Sequence, residues 1–356
     1  MRFPEFSGEW NVKRLDECVT FLDEQRKPIK STERSSEYKL YPYYGASGVI
    51  DYVDDYIFNE ELILLSEDGA NILDRNYRVA FIVKGKTWVN NHAHVLRPMK
   101  NVDISYLSEY LESLKYEKYN TGSTMPKLNQ EVCRSIKILL PEYAEQVKIG
   151  ILLSAINERI ATQIKIIEDL KKLKSAIRAK VFKQLESSCE FCSEIGNMLQ
   201  YEQPSKYLVT STEYSDSYTT PVLTANKAFI LGYTDEEFGI YSKGECVIFD
   251  DFTMDVKYVN FPFKVKSSAI KILTANSGND LYFVYEYLQN LGLVSEEHKR
   301  HYISEIEPMV VACPTFEEQQ NISNLFRSFD SKIECANREL ILYNKQKQHL
   351  LSQMFI

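Results

Sequence analysis

The feature that most constrains how this chain folds is an internal repeat with an offset of 173 residues. The segment Pro141-Glu-Tyr-Ala-Glu-Gln146 recurs in similar form as Pro314-Thr-Phe-Glu-Glu-Gln319. Apolar residues beyond these segments correspond at the same offset, so that Ile149 matches Ile322. Because this offset is far longer than the repeating unit of a solenoid, it predicts two copies of one domain, each followed by a helix.

The first copy continues into a long helix. From Ile149 to Val181 apolar residues recur at spacings of three and four, and Gly150 is the only glycine or proline between Pro141 and Gly196. This is the spacing of one face of an α-helix. An apolar stripe of this length without internal capping signals predicts a coiled coil.

The second copy carries a similar stripe between Ile322 and Met354, interrupted by Asn337 and Gln346. Polar residues within an apolar seam can fix the alignment of two helices. Because duplicated units have matching apolar faces, we expect the two helices to pack antiparallel against each other; the alternative is two unrelated core helices. The residues predicted to pair the helices are Ile149, Ile156, Ile160, Leu170, Ile177, Ile322, Phe329, Ile333 and Leu350.

Segments with strand character precede each helix. They are rich in β-branched and aromatic residues, as in 61–65 and 77–83 of the first copy and 246–249 and 269–273 of the second. We therefore predict an α+β fold, in which two similar mixed α/β domains are joined by two long helices that form an antiparallel coiled coil. The predicted first domain, central helix, second domain and C-terminal helix are 1–141, 142–185, 186–316 and 317–356.

The cysteine content and the first residues indicate an intracellular protein. The seven cysteines are an odd, widely spaced set, which is a poor disulfide framework and suits a reducing compartment. The start, Met1-Arg-Phe-Pro-Glu-Phe6, lacks the apolar run of a signal peptide, and no run in the chain approaches the length that spans a bilayer. We expect a cytoplasmic location and no membrane.

The formal net charge of −8 argues against nucleic-acid binding by the surface as a whole. The charge is uneven, however: residues 186–316 contain 9 Lys/Arg and 19 Asp/Glu. Two windows, 75–102 and 256–279, contain no acidic residue. They align through Phe81-x-x-Lys84-x-Lys86 and Phe261-x-x-Lys264-x-Lys266, and therefore predict two copies of one anion-facing surface. The alternative is a solvated strand face.

Several patterns resemble chemical sites but lack essential parts. The run 80–87 satisfies a loose nucleotide-loop spacing, but its middle is a predicted strand instead of a flexible glycine turn. Cys189-Glu-Phe-Cys192 lacks a second pair of zinc ligands nearby. Asp250, Asp255 and Lys257 are spaced loosely like a nuclease site without a second supporting element. We therefore predict no catalytic residues and no metal in this chain.

The motifs together resemble a known family, the specificity subunits of type I restriction–modification systems. The resemblance covers essentially the whole chain, and the duplicated proline–glutamate–glutamine helix entry is its most specific element. The segments that carry it are Arg2–Phe6 with Trp10, Tyr41–Gly48, Pro141–Gln146, Thr220–Asn226, Gly232–Thr234, Phe249–Thr253 and Phe261–Ser268. It implies two target-recognition domains, each of which reads one half of a split DNA sequence, with the helices as a ruler between them.

The resemblance also implies partners and cofactors. The expected partners are double-stranded DNA, two methyltransferase (modification) subunits and restriction/translocase subunits. No cofactor is expected in this chain, because S-adenosylmethionine, Mg and ATP would be bound by the partner subunits. Two alternatives stay open: a coiled-coil interaction adaptor without DNA specificity, and a stand-alone nuclease or methyltransferase fragment. A methyltransferase gene immediately upstream would favour the specificity subunit.

Candidate DNA-binding residues come from the two windows, from the loops before the last strand of each domain, and from the segments that carry the resemblance. Hydroxyl, amide and imidazole groups can read base edges, and lysine and arginine can hold phosphates. The candidates are Tyr44, Ser47, Lys84, Lys86, Asn90, Asn91, His92, His94, Ser123, Thr124, Lys127, Thr224, Asn226, Lys227, Lys264, Lys266, Ser267, Ser268, Lys271, Lys299 and Arg300.

Overall fold

The computed structural model describes residues 2–34, 39–224, 229–295 and 300–355. The chain divides into two compact units, residues 1–164 with 338–356 and residues 165–337. Each unit therefore contains one globular domain and parts of both long helices.

The first domain contains two four-stranded sheets and one two-stranded sheet. Its strands are β1 (Asn11–Arg14), β2 (Val19–Phe21), β3 (Tyr41–Gly45), β4 (Gly48–Val53), β5 (Phe58–Asn59), β6 (Leu62–Ser66), β7 (Ala80–Val83), β8 (Lys86–Val89), β9 (Ala93–Pro98) and β10 (Lys137–Leu140). Its helices are α1 (Asn71–Asp74), α2 (Ile104–Ser113) and α3 (Gln130–Arg134), and the long helix α4 (Tyr143–Ser188) follows. The sheet orders are β2-β9-β6-β7 and β4-β3-β8-β5, and β1 pairs with β10.

The second domain repeats this arrangement. Its strands are β11 (Cys192–Glu194), β12 (Leu199–Glu202), β13 (Thr220–Leu223), β14 (Ile230–Thr234), β15 (Cys246–Asp250), β16 (Val256–Val259), β17 (Lys264–Val265), β18 (Ile270–Ala275) and β19 (Val310–Ala312). Its helices are α5 (Ile195–Met198) and α6 (Leu281–Asn290), and the second long helix is α7 (Phe316–Met354). Over the described residues the sheet orders are β12-β18-β15-β16 and β14-β13-β17, and β11 pairs with β19. The matching orders confirm two similar mixed α/β domains.

The repeated proline–glutamine segment has a structural role at the entry of α4. The Gln146 Oε1 atom accepts a hydrogen bond from the Asp103 N–H at 2.9 Å, and its Nε2 donates to the Pro141 carbonyl at 2.9 Å. The carboxylate of Asp103 in turn accepts the Tyr106 N–H at 2.8 Å and caps α2. The glutamine therefore ties the start of α4 to the start of α2.

The second copy reproduces this connection. The Gln319 Oε1 atom accepts from the Asp280 N–H at 2.8 Å, and its Nε2 donates to the Pro314 carbonyl at 3.0 Å. Asp280 caps α6 by accepting the Phe283 N–H at 2.8 Å. The same side chain thus performs the same task at both helix entries.

Within each unit the long helices pack antiparallel. In the first unit Ile149 of α4 shares a buried cluster with Leu350 and Met354 of α7, so the beginning of one helix lies beside the end of the other. In the second unit Phe182, near the end of α4, stacks on Phe326, near the beginning of α7, with 6.2 Å between ring centroids. The predicted antiparallel coiled coil is confirmed.

The predicted seam residues are at least partly covered. Ile149 and Ile156 are buried, and the half-buried residues are Ile160, Leu170, Ile177, Ile322, Phe329, Ile333 and Leu350. Asn337 and Gln346 are exposed, so the prediction that they interrupt the seam is wrong. The buried polar side chains of α4 include Gln163 and Lys174 instead.

Candidate nucleic-acid interface

Four segments of the first domain meet at one end of its sheets. Backbone bonds connect them, because the Glu67 N–H donates to the His92 carbonyl at 2.9 Å and the Leu128 N–H donates to the Glu67 carbonyl at 2.7 Å. The Ser66 hydroxyl donates to the Ala46 carbonyl at 2.5 Å. We call this surface the first loop edge, and its segments are 46–47, 67–69, 90–92 and 120–128.

The longest segment of the first loop edge, 120–128, is held in one shape by its own side chains. The Asn120 Oδ1 atom accepts hydrogen bonds from the N–H groups of Gly122 and Lys127, both at 2.9 Å. A Cβ atom on Gly122 would overlap the Met125 carbonyl oxygen, so this position admits only glycine without movement. The loop therefore presents residues 123–125, all exposed, on a fixed backbone.

The first loop edge places acidic side chains beside a lysine and a histidine. His92 Nδ1 lies 2.8 Å from the Asp68 carboxylate, and Lys127 Nζ lies 3.5 Å from Glu67. Side chains of these types can read base edges in a groove, and lysine can contact phosphates. The predicted residues that are exposed here are Ser47, Asn91, His92, Ser123, Thr124 and Lys127.

The structure places Lys84 and Lys86 away from the first loop edge. They lie at the turn between β7 and β8, whereas the edge begins beyond Val89, roughly 10 Å along the strand from Lys86. Lys84 is exposed and pairs with Glu61 at 2.8 Å. Lys86 lies over the rings of two tyrosines, Tyr41 and Tyr56. The two lysines therefore lie at the end of β8 opposite to the first loop edge.

Three predicted residues near the first loop edge are turned inward or partly covered. Tyr44 is half-buried and packs on Phe81. Asn90 is 4% exposed, and its side-chain oxygen accepts the His92 N–H at 2.8 Å. His94 is completely buried, so the prediction that its imidazole faces a ligand is wrong in this structure.

His94 is an internal cation. Its Nδ1 lies 2.7 Å from the Asp23 carboxylate and its Nε2 lies 2.8 Å from the Leu128 carbonyl. Burial is the largest single effect and would lower the pKa of His94, but Asp23 and Cys133 together outweigh it and raise that pKa to about 10. His94 thereby anchors the end of the 120–128 loop from inside the domain.

Lys271 occupies the corresponding place in the second domain. His94 pairs with Leu65 across β6 and β9, and Lys271 pairs with Phe249 across β15 and β18. Lys271 is 1% exposed, and its Nζ lies 3.6 Å from the buried carboxylate of Asp251. Its predicted contribution to a charged surface is therefore also corrected.

Lys264 is buried as well. Its ammonium group is fully enclosed between the Glu236 carboxylate at 2.5 Å and the Phe238 carbonyl at 2.8 Å. Burial opposes ionisation of Glu236, but Lys264 and the donors of Thr210 and Ser211 lower the pKa of that carboxyl to about 2. Lys264 thus neutralises an internal acid and offers no free charge to a phosphate.

The structural correspondence of the two domains also differs from the alignment of the lysine windows. β3 and β8 run parallel with Tyr43 opposite Trp88, and β13 and β17 run parallel with Val222 opposite Lys264. Lys264 therefore corresponds to Trp88, and the matching of Lys264 with Lys84 is wrong. The two windows were aligned by the spacing of their lysines. The loops before β8 and β17 differ, so equal lysine spacing does not mark equivalent positions.

A second loop edge lies at the same end of the second domain. The Lys266 N–H donates to the Leu223 carbonyl at 2.9 Å, and the Asp251 N–H donates to the Ala269 carbonyl at 3.0 Å. Of the predicted residues, Lys266, Ser268 and Arg300 are exposed, and Thr224 and Ser267 are half-buried. Asn226, Lys227 and Lys299 lie outside the described residues.

The acids of the first loop edge were not among the predicted residues. Glu67 and Asp68 pair with Lys127 and His92, yet they lie outside the acid-free window and escaped notice. The fixed shape of the 120–128 loop did have a signal in the sequence. This was the Asn120-Thr-Gly122 run, because an asparagine two residues before a glycine favours a turn that the asparagine side chain closes.

In the described parts of the chain no group of three or more histidine, cysteine, aspartate or glutamate side chains is placed to hold a metal ion. None of the described helices is long and apolar enough to cross a membrane.

The architecture defines a class: a pair of similar α/β domains, each with a polar loop edge, carried on paired long helices. Residues 7–172 match the family described as type I restriction modification DNA specificity domain. The resemblance to the specificity subunits of type I restriction–modification systems is thereby confirmed.

Relatives and solved structures show the same resemblance. The chain is 40% identical over 173 residues to the EcoR124I/EcoR124II specificity subunit of Escherichia coli, and 35% identical over 149 residues to a putative specificity subunit of Haemophilus influenzae. These matches cover 45% and 42% of this chain but only 43% and 37% of those proteins. The fold matches that of a type I S subunit from M. genitalium with a TM-score of 0.70 and 15% identity, over 99% of this chain and 98% of that one.

Proposed function

We propose that this chain is the DNA-recognition subunit of a type I restriction–modification complex, with each domain reading one half of a bipartite target. The observation that carries the proposal is the repetition of one loop edge in two domains of the same sheet order, one of them within a DNA specificity domain. Phosphate contacts would position each loop edge, and exposed hydroxyl, amide and imidazole groups would read bases. The comparisons do not favour the adaptor or the stand-alone enzyme.

The chemistry belongs to partners in this proposal. Two methyltransferase subunits would supply S-adenosylmethionine and methylate adenine, and restriction/translocase subunits would use Mg and ATP. The chain itself would be non-catalytic and would act in the cytoplasm, where the DNA is. Turnover by the purified chain alone, whether methylation, cleavage or ATP hydrolysis, would contradict this division of labour.

Sequencing of methylated adenines in the host tests the proposal directly. Deletion of the gene should abolish one bipartite methylation motif, and the intact gene should restore it. A variant with Ser123, Thr124 and Lys127 replaced by Ala should lose or alter one half of the motif only. Lys84→Ala with Lys86→Ala is the control, because these lysines lie away from the loop edge. A motif that survives deletion would refute the proposed function.

A further inference from the structure

Each unit contains a lysine that joins three elements; Lys174 is buried and Lys347 is half-buried. In the first unit Lys347 of α7 lies 2.7 Å from the Asn157 side-chain oxygen of α4 and 3.0 Å from the Glu109 carboxylate of α2. In the second unit Lys174 of α4 lies 2.6 Å from the Asp330 carboxylate of α7. Lys174 also lies 2.7 Å from the Glu286 carboxylate of α6.

The two clusters are copies of each other. Lys174 and Lys347 are separated by 173 residues, and so are Asn157 and Asp330. The two glutamates each occupy the sixth position of the helix that Gln146 or Gln319 connects to a long helix. In both units, then, a lysine from one long helix meets a polar residue of the other long helix and a glutamate of the globular domain. Neither lysine was among the predicted functional residues.

The lysines matter because the two glutamates that they contact are buried. Glu286 is 0% exposed and Glu109 is 4% exposed. The Oε1 atom of Glu286 and the Oε2 atom of Glu109 have no hydrogen-bond donor in suitable geometry, and the lysine ammonium faces each of them. The other oxygen of each carboxylate binds an arginine, Glu286 Oε2 to Arg178 at 2.7 Å and Glu109 Oε1 to Arg78. Loss of a lysine would leave the remaining oxygen of a buried carboxylate without a partner, which is unfavourable, so each lysine is required where it stands.

The apolar seam alone does not fix the register of the two long helices. An apolar stripe selects which helix faces meet, but a shift of one helix by seven residues presents a similar stripe. Such a shift moves one helix by roughly 10 Å. A single buried polar residue distinguishes the registers, because only one of them gives it a partner.

From this geometry we infer that Lys174 and Lys347 are positioning residues. They set the register of the long helices and the position of each domain on them. This inference rests on the proposed function for its consequence, which is that the two lysines determine the gap between half-sites in the DNA target. Roughly 10 Å of axial movement corresponds to about three base pairs. Loss of the lysines should therefore relax the gap that the complex accepts.

The test compares three forms of the full chain, each assembled with methyltransferase subunits. The first carries Lys174→Met and Lys347→Met, which keep the apolar stem and remove the charge. The matched control carries Lys172→Met and Lys345→Met, since these exposed lysines are also 173 residues apart. The third form adds Glu109→Gln and Glu286→Gln to the first. Each carboxylate becomes a neutral amide that can still accept from Arg78 or Arg178, which keeps the test informative if the first form fails to fold.

The readout is methylation of a DNA pool in which the two host half-sites are separated by every gap within seven base pairs of the native one. We expect wild type and control to share one preferred gap. The preference should fall at least tenfold in the first and third forms, and only the third should recover the wild-type melting temperature. An unchanged gap preference in the third form would overturn the inference. Absence of any gap preference in wild type would instead refute the proposed function.

Register is also measured without DNA. Ala176 of α4 and Ser328 of α7 are exposed residues of the second unit, and each can be replaced by Cys and spin-labelled after the exposed native cysteines are changed to Ser. Wild type should give one narrow distance distribution, and the third form a broadened or shifted one. The same narrow distribution in both would show that the lysines do not set the register, whatever the DNA readout.

Discussion

At the scale of single residues, charge along the sequence is a poor guide to charge on the surface. The windows 75–102 and 256–279 contain no acid, yet Lys264 is neutralised by Glu236 and Lys271 by Asp251. Both acids are remote in sequence and are brought close by the sheets. Exposed residues of the first loop edge were predictable because turn-forming and polar residues mark loops locally. Ion pairing was not, because it depends on tertiary contacts.

The pairing of His94 with Asp23 predicts a specific pH dependence. The pKa of His94 is raised to about 10 from an ordinary 6.5, so its stabilising effect is complete below pH 6.5 and disappears as the pH rises through 10. We expect wild type to exceed His94→Gln by roughly 3–5 kcal/mol in unfolding free energy at pH 6, and by much less above pH 10. Denaturant titrations at several pH values measure this difference.

Exposed His92 provides the control for that experiment. His92→Gln should change the unfolding free energy by less than about 1 kcal/mol, because its contact with Asp68 is exposed to solvent. An advantage of wild type over His94→Gln that increases as the pH rises to about 6.5 and then stays constant up to pH 10 would show that the buried imidazole is neutral.

Gly122 allows loop shape to be separated from stability. The added methyl group of Gly122→Ala would collide with the Met125 carbonyl and force the 120–128 loop to change shape. We expect the melting temperature to fall by only a few degrees, since the loop is exposed, while methylation of the bipartite motif falls at least tenfold. Methylation at the wild-type level would mean that the fixed loop shape is not needed for recognition.

At the scale of elements, the sequence was more informative because helix periodicity is a local property. The predicted helices 142–185 and 317–356 correspond to Tyr143–Ser188 and Phe316–Met354. The repeated glutamine was visible as a motif, but its purpose was not. Only the structure shows that Gln146 holds the N–H of a residue 43 positions earlier.

Removal of either glutamine tests this role. Gln146→Ala or Gln319→Ala leaves the Asp103 or Asp280 N–H without its acceptor at a largely buried helix entry. We expect each variant to lose about 1–3 kcal/mol of unfolding free energy. The neighbouring Gln320 is exposed, and Gln320→Ala should have little effect. Equal losses for all three substitutions in denaturant titrations would contradict the proposed role.

The seam of the long helices offers a matched comparison of buried and exposed positions. Ile156 is 6% exposed and Ile151, one and a half turns away on α4, is 65% exposed. Ile156→Asp should cost about 3–5 kcal/mol, because an unpaired carboxylate would enter an apolar environment. Phe329→Asp should act in the same direction in the second unit. Ile151→Asp should leave the melting temperature of the isolated chain nearly unchanged, and a comparable fall would mean that Ile156 is not part of the seam.

At the scale of the whole molecule, the duplication predicted two domains and two helices. It did not predict which helix ends each domain contacts. That choice depends on contacts over long sequence distances. In the first unit Phe355, the last described residue, packs 5.0 Å from the ring of Tyr110. In the second unit Phe182 packs 4.7 Å from the ring of Tyr287. Each domain thus binds the beginning of its own long helix and the end of the other, a connection that apolar periodicity alone does not specify.

Because of this connection, a change in helix length should change the gap between the half-sites of the DNA target. Seven residues inserted within 160–175 of α4, with seven more within 329–344 of α7, keep both apolar stripes in phase. They leave Lys174 and Lys347 with their present partners if the insertions fall between the two clusters. At 1.5 Å per residue, each helix lengthens by roughly 10 Å.

We expect the methylation motif of the doubly extended variant to keep both half-sites and to gain about three base pairs in the gap, because B-DNA rises about 3.4 Å per base pair. An insertion in α4 alone should give the same half-sites with a lower melting temperature, since part of the stripe would lack its counterpart. Methylome sequencing of cells that carry each variant measures half-sites and gap together. The original gap with altered half-sites would show that the loop edges respond to helix length and that the helices do not measure distance.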